Sequence, residues 1–270
     1  MINLLICCMR LAGEAVYWIS RLTPIKNSVA KNIRLLFPEA DSQCLADKLL
    51  RNVSHSIFEI ICAPLFKKEH FKHVGKINGL ENIDLGLSKG NGILLLMMHT
   101  GNYELTPALL TSRGYRMNSI LKAPDNFLFK IVNRCRSWGG GKLINVLKDD
   151  MYHDSLRALA GNEIVLILID TGALEGRHET IEFLGMKVPA ATGWLTLAQR
   201  SKASVVPAFS KREDGKVVLT LGEPLTVNAD NREEIVLKVG QLYEKFIKDH
   251  PEQWIILLNE YETRRMVEGK

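Results

Sequence analysis

The chain has 270 residues, which is long enough for one large domain or two small ones. Hydrophobic residues make up 46% of it and charged residues 24%, a balance that predicts an ordinary hydrophobic core and excludes a disordered chain. The formal net charge of +5 favours acidic partners, such as lipid phosphates, a membrane surface or an acidic carrier protein. Nucleic acid is not expected as a partner, because the basic residues form no long run and no nucleic-acid-binding motif is present.

The cysteines and histidines indicate neither a disulfide framework nor a metal site. The five cysteines are odd in number and contain no C-x-x-C pair, which is typical of a protein from a reducing compartment. His153, His178 and His250 lack the mutual spacing of metal ligands, and no metal is therefore predicted.

Residues 1–73 are expected to form a helical section. Within the first helix, residues 1–20, Arg10 and Glu14 are four positions apart and therefore share one face, which leaves most apolar side chains on another. No uninterrupted apolar run reaches the roughly 18 residues of a membrane-spanning helix. Two interpretations stay open: a helix that lies on a membrane surface, and an amphipathic helix that packs on the core.

Strands and helices are predicted to alternate after a turn-rich stretch at 75–79. The segments expected to be strands are 93–98, 117–122, 143–147, 163–170, 203–209 and, as an edge strand, 216–221. The segments expected to be helices are 103–112, 127–138, 152–160, 193–200, 233–248 and the tail from Trp254. This order predicts an α/β fold with a largely parallel central sheet flanked by helices, and a single domain over 1–270 whose α/β core occupies 74–270.

The segment after the first buried strand carries the groups best suited to catalysis. His99 follows the apolar run 93–98, Gly101 lets the chain turn, and Glu104 falls in the first turn of the next helix. Active sites of α/β proteins lie at the carboxyl ends of strands. A histidine can take a proton from an attacking hydroxyl, and a carboxylate can hold its other ring nitrogen. The competing interpretation is a structural histidine with an unrelated surface glutamate.

Ordered motifs along nearly the whole chain resemble one family. His99-Thr-Gly-Asn-Tyr-Glu104 is similar to the H-x-G-N-W/F-E signature of the bacterial late acyltransferases of lipid A biosynthesis, within the lysophospholipid and glycerolipid acyltransferase superfamily. The other segments that resemble this family begin at Asn32 (N-I-R-L-L-F-P-E), Lys122 (K-A-P-D-N), Arg136 (R-S-W-G), Phe183 (F-L-G), Ala203 (A-S-V-V-P) and Pro251 (P-E-Q-W). The sequence departs from the family at Thr171, where the family has glutamine.

The resemblance implies transfer of an acyl chain from acyl carrier protein or coenzyme A to a hydroxyl of a lipid A precursor or related glycolipid, without a cofactor. It implies a bacterial protein attached peripherally to the cytoplasmic face of the inner membrane. His99 is then the general base and Glu104 the group that orients it. The residues expected to bind substrate are Lys122, Asn126, Arg136, Asp170 and Arg177, since arginine and lysine side chains meet phosphate groups well.

Each of these interpretations has an alternative. The three cations can be solvated surface charges, Asn126 can cap a turn, and Asp170 can orient Arg177 or cap a helix. The acceptor can instead be a lysophospholipid, an amino-lipid or a secondary product. Two alternatives of other classes are a non-catalytic lipid-binding protein of the same fold and a metal-dependent hydrolase that uses His99 as a ligand.

Overall fold

A computed structural model describes residues 2–122, 124, 126–171 and 178–268. The strands of this described part are β1 (Gly75–Asn78), β2 (Ile93–Met97), β3 (Met117–Leu121), β4 (Lys142–Asn145), β5 (Ile164–Leu168), β6 (His178–Phe183), β7 (Met186–Ala191), β8 (Ser204–Glu213) and β9 (Lys216–Leu221). The α-helices are α1 (Ile2–Arg21), α2 (Ile25–Leu36), α3 (Ser42–Cys62), α4 (Phe71–Val74), α5 (Leu80–Leu87), α6 (Thr106–Ser112), α7 (Phe127–Arg136), α8 (Met151–Ala160), α9 (Gly193–Ser201), α10 (Arg232–Asp249) and α11 (Glu260–Glu268).

The central sheet has seven strands in the spatial order β1-β9-β8-β2-β5-β3-β4. All its neighbouring strands are parallel except β8 and β9, which pair antiparallel. The predicted α/β fold with a largely parallel sheet and a helical start is therefore confirmed. Because β2, β3, β5 and β8 run in the same direction, their carboxyl ends meet at one edge of the sheet, which we call the catalytic edge.

Strand β2 lies at the centre of the fold and separates two hydrophobic cores. Its five residues are fully buried, as expected for a strand covered by helices on both faces. Leu94 and Leu96 point into one core, with residues of α2, α3, α9 and α10, while Ile93, Leu95 and Met97 point into the other. This alternation follows from the two-residue period of a strand.

Three features of the sheets differ from the sequence-based expectations. The stretch predicted as a turn at 75–79 contains β1, and the strand predicted as an edge, β9, lies inside the sheet between β1 and β8. Pairing with β1 covers the outer side of β9, a contact between distant segments that local alternation does not reveal. The antiparallel hairpin of β6 and β7 was also not predicted.

Helix α1 packs on α3 and leaves an apolar face exposed. Ile6, Met9 and Tyr17 are buried, and Glu14 binds Arg51 and His55 of α3. The exposed large apolar side chains of this region are Leu4, Leu11, Trp18, Ile19, Leu22 and Ile25. By length and composition, α1 is the one helix of the described residues that could cross a membrane.

We expect Leu95→Ala to lower the free energy of unfolding by about 3 kcal/mol, because it removes fully buried methyl groups and leaves a cavity beside β2. Urea unfolding followed by circular dichroism measures the change. Leu22→Ala is the matched control, since this leucine is 88% exposed and its truncation should cost no more than about 0.5 kcal/mol. Equal losses in the two variants would contradict the assignment of the core.

Candidate active site

His99 and Asp170 meet at the catalytic edge because two adjacent strands end in register. Met97 of β2 lies opposite Leu168 of β5, and each strand is followed after one further residue by one member of the pair. The Nδ1 atom of His99 lies 2.7 Å from Oδ1 of Asp170. The parallel pairing of β2 with β5 therefore places an imidazole and a carboxylate in direct contact.

Hydrogen bonds from His99 and Trp254 fix the position of the Asp170 carboxylate. Its Oδ2 accepts hydrogen bonds from the backbone N–H of His99, at 2.9 Å, and from Nε1 of Trp254, at 3.0 Å. The carboxylate is only 1% exposed. Burial alone would raise the pKa of Asp170, but the charge of His99 and these hydrogen bonds outweigh burial and lower it. An ionised carboxylate only accepts hydrogen bonds, and Nδ1 of His99 is therefore the donor.

The ring of His99 is accessible although much of it is enclosed. Its side chain is 20% exposed, and Tyr103 packs edge-on against it with the ring centroids 4.7 Å apart. Burial acts to lower the pKa of His99, whereas the charge of Asp170 and their hydrogen bond raise it, with a raised pKa as the net result. With Nδ1 donating to Asp170, the neutral ring presents Nε2 as its proton acceptor.

Glu104 has a different partner from the one expected. Its two carboxylate oxygens accept hydrogen bonds from Nε and Nη2 of Arg136, at the end of α7, in a bidentate pair. Both side chains are nearly enclosed, with 11% of Glu104 and 12% of Arg136 exposed. The expectation that Glu104 holds the ring of His99 is therefore wrong, because Asp170 bonds Nδ1 of His99 and Arg136 bonds the carboxylate of Glu104.

The backbone between His99 and Glu104 is fixed by the segment 253–255. The N–H of Gly101 donates to the carbonyl of Gln253 at 2.8 Å, and the N–H of Ile255 donates to the carbonyl of His99 at 2.8 Å. Gly101 has a φ of +55°, and a Cβ there would lie 2.6 Å from the carbonyl oxygen of Ser210. The turn therefore requires glycine for both its conformation and its close approach to β8.

A buried charge pair outside the predicted motif supports the same turn. Glu59 of α3 accepts two hydrogen bonds of 2.7 Å from Arg212 of β8 and one of 2.8 Å from Nδ2 of Asn102. Both charged side chains are almost completely enclosed. Sequence reasoning missed Glu59 and Arg212, because nothing in their local sequence indicates that α3 and β8 meet behind the turn.

The other predicted binding residues lie in different settings. Lys122 is exposed and follows β3 at the catalytic edge. The side chain of Asn126 caps α7 by accepting from the N–H of Phe129 at 3.0 Å, which agrees with the alternative of a cap. Asp170 was expected at the substrate and instead lies behind His99. Arg177 lies outside the described residues.

An apolar groove opens beside Asp170. It has a volume of about 820 Å³ counted with its open mouth, and it runs from Met98 and Asp170 to the hairpin of β6 and β7 and to the helices α10 and α11. Its walls are mostly apolar, including Ile181, Val188 and Val239. Its polar lining residues include Asp170 and Thr171, after β5, and Glu262 and Arg265 of α11. Predominantly apolar walls with a few polar groups are typical of a site for a small molecule or a chain.

The described residues of this site include neither a reactive thiol nor a metal cluster. Cys135 is buried next to Glu104, and burial raises the pKa of its thiol to about 12, so that it stays protonated at neutral pH. Within the described ranges, no group of three histidine, cysteine or carboxylate side chains is arranged to hold a metal ion.

Comparison with protein families gives one match over almost the entire chain. The model described as bacterial lipid A biosynthesis acyltransferase matches residues 7–263. This range includes the catalytic edge, most of the groove and most of the helical section that precedes them. The comparison with curated proteins gave no match.

We expect Asp170→Asn to lower the pKa of His99, because the amide removes the negative charge that offsets the burial of the ring. Titration of the histidine ring signals by NMR measures this pKa. Asp150→Asn is the control, since Asp150 is an exposed partner of His153 and its removal should leave the titration of His99 unchanged. A His99 pKa that does not fall in Asp170→Asn would contradict the assigned pair.

Proposed function

Since the chain belongs to the bacterial lipid A biosynthesis acyltransferase family, it is an acyltransferase of lipid A biosynthesis, and we propose that His99 is its general base. In this proposal, His99 activates a hydroxyl of a lipid A precursor or related glycolipid for attack on an acyl thioester. The observation that carries the proposal is the contact of 2.7 Å between Nδ1 of His99 and the buried carboxylate of Asp170, which leaves Nε2 to accept a proton.

The transfer proceeds without a covalent enzyme intermediate. As the acceptor oxygen bonds to the thioester carbonyl carbon, Nε2 of His99 takes the hydroxyl proton, and Asp170 stabilises the imidazolium. The tetrahedral intermediate then collapses, the carbon–sulfur bond breaks, and His99 returns the proton to the departing thiolate. The products are an ester and a free thiol. The protonated thiol of Cys135 offers no competing nucleophile.

Glu104 acts in this proposal through Arg136 rather than through the ring of His99. Their bidentate pair fixes the turn that carries Tyr103 against the imidazole. It also holds a cation close to the ring, where it can face an anionic group of the substrate. Lys122, at the same edge of the sheet, is proposed to contact a headgroup phosphate, and Arg177 is assigned the same role from its sequence motif alone.

The apolar groove is proposed to hold the acyl chain, because it begins at Asp170 and is lined by aliphatic side chains. A chain in this groove would bring its thioester toward Asp170, the hydrogen-bond partner of His99. The donor is acyl carrier protein or coenzyme A, and the net charge of +5 favours the acidic carrier protein. No cofactor is needed for this chemistry.

The exposed apolar face of α1 supports attachment to a membrane. Leu4, Leu11, Trp18 and Ile19 lie on this face, and a membrane surface would cover them. We propose that the protein binds peripherally to the cytoplasmic face of the bacterial inner membrane, where a lipid acceptor is available.

We expect His99→Ala to lower kcat for acyl transfer by about a thousandfold, because the variant has no base to take the hydroxyl proton. A purified-enzyme assay with acyl carrier protein thioesters, acyl coenzyme A and a panel of lipid acceptors measures the rate and identifies both substrates. His153→Ala is the matched control, since His153 is exposed and its ring contacts the exposed carboxylate of Asp150. Transfer that survives intact in His99→Ala would refute the proposed mechanism, and lipid binding without turnover on any acceptor would favour a non-catalytic role.

The rate of transfer is expected to rise with pH, because only the neutral ring of His99 accepts a proton. Asp170 raises the pKa of His99, so that the rise is centred above the ordinary pKa of a histidine. In Asp170→Asn the rise should move to lower pH while the maximal rate falls. The dependence of kcat/KM on pH tests this, with donor hydrolysis in the absence of enzyme as the blank. A rate that falls across this range would require a protonated His99 instead.

A further inference from the structure

Gly240 occupies an unusual position in the middle of α10. It is partly buried and lies in line with the buried residues Val236 and Tyr243, where the spacing of four and three residues favours an apolar side chain. Glycine is among the poorest helix formers, because it loses more conformational freedom on folding than other residues. A glycine at this place therefore weakens an 18-residue helix. The surrounding structure should show why glycine stands there.

Packing against the rest of the protein does not require glycine at this position. A Cβ on Gly240 would meet one atom within 4 Å, the terminal Cδ1 of Ile181 at 3.3 Å. A small shift at the end of that side chain would accommodate a methyl group. Both Gly240 and Ile181 line the apolar groove, so the space that the missing side chain leaves belongs to the groove.

The orientation of Gly240 is fixed by the neighbouring turn of α10. Tyr243 is fully buried, donates to the carbonyl of Leu96 in β2 at 2.5 Å and accepts from the N–H of Ala208 in β8. This anchor holds the helix against the sheet one turn beyond Gly240. The glycine faces Ile181 of β6, and the width of the groove there depends on which side chain stands at 240.

We propose that Gly240 and Ile181 together determine which acyl chains the enzyme accepts, by setting the free width of the groove between α10 and β6. This inference rests on the proposed function, in which the groove holds the acyl chain. A chain that extends past Gly240 uses the space of its missing side chain, whereas a shorter chain ends before it. Side-chain volume added at 240 then hinders only acyl chains that are long enough to reach it.

The test compares Gly240→Leu with Gln241→Leu, which adds the same side chain at the exposed next position of the same helix. The measurement is kcat/KM for a series of saturated acyl thioesters from medium to long chain. In Gly240→Leu, kcat/KM for the longest chain that the unmodified enzyme accepts should fall by about tenfold or more, with little change for the shortest chain. Gln241→Leu should leave the whole series unchanged.

A second substitution distinguishes the effect of a smaller groove from the effect of impaired folding. Ile181→Ala in the background of Gly240→Leu returns volume to the groove, and it should restore at least part of the transfer of long chains. An equal fall for every chain length, an unchanged series, or no recovery in the double variant would overturn the inference.

A second readout distinguishes failure of the inference from failure of the proposed function. Equilibrium binding of saturated fatty acids of the same lengths requires no catalysis, and Gly240→Leu should weaken binding of the long acids selectively. If this selectivity is found while the unmodified protein transfers no acyl chain, the proposed function fails and the assignment of the groove stands. If the unmodified protein transfers acyl chains and Gly240→Leu changes neither profile, the inference alone fails.

Discussion

The in-register parallel pairing of β2 with β5 is the constraint on which the site depends. Met97 lies opposite Leu168, and the two chains leave the sheet side by side, which brings His99 to Asp170. A shift by one residue would turn every side chain of β2 to the opposite face of the sheet and would exchange its contacts with the two cores. The same apolar packing that holds the fold together therefore also specifies the geometry of the pair of His99 and Asp170.

Much of this fold was predictable from sequence, because the buried strands are continuous apolar runs. The runs at 93–98 and 163–170 predict two buried strands, and His99 and Asp170 stand at their ends. The feature of the sequence that pointed to this pair was that His99 and Asp170 each stand at the end of a predicted strand in a largely parallel sheet. The order of strands decides which ends are neighbours, however, and that order depends on contacts between distant segments.

Proximity in sequence was misleading for Glu104, which is close to His99 along the chain but bonds Arg136 of α7. Trp254, Glu59 and Arg212 come from segments far apart in sequence; Trp254 closes the motif P-E-Q-W, but no local pattern marks Glu59 or Arg212. The motif from His99 to Glu104 thus indicates where the site lies, while the tertiary structure decides the role of each side chain. Strand β1, four residues long and next to a glycine-rich turn, was missed for the same reason.

Two charge pairs on either side of the turn after His99 show how the position of the ring is maintained. Glu104 with Arg136 and Glu59 with Arg212 are both bidentate and both enclosed. Buried ion pairs often contribute little net stability, because removing two charges from water costs about as much as their attraction returns. Their hydrogen bonds are directional, and through Glu104 and Asn102 they restrain the turn after His99 from two points.

The hairpin of β6 and β7 is separate from the sheet that carries His99 and Asp170. It contributes walls to the groove but no strand to the catalytic edge. Substitutions in the hairpin, or on the facing side of α10, can therefore accumulate without disturbing the strand pairing that aligns the reacting groups. Such a division lets the size and shape of the groove change while the pairing of β2 with β5 stays the same.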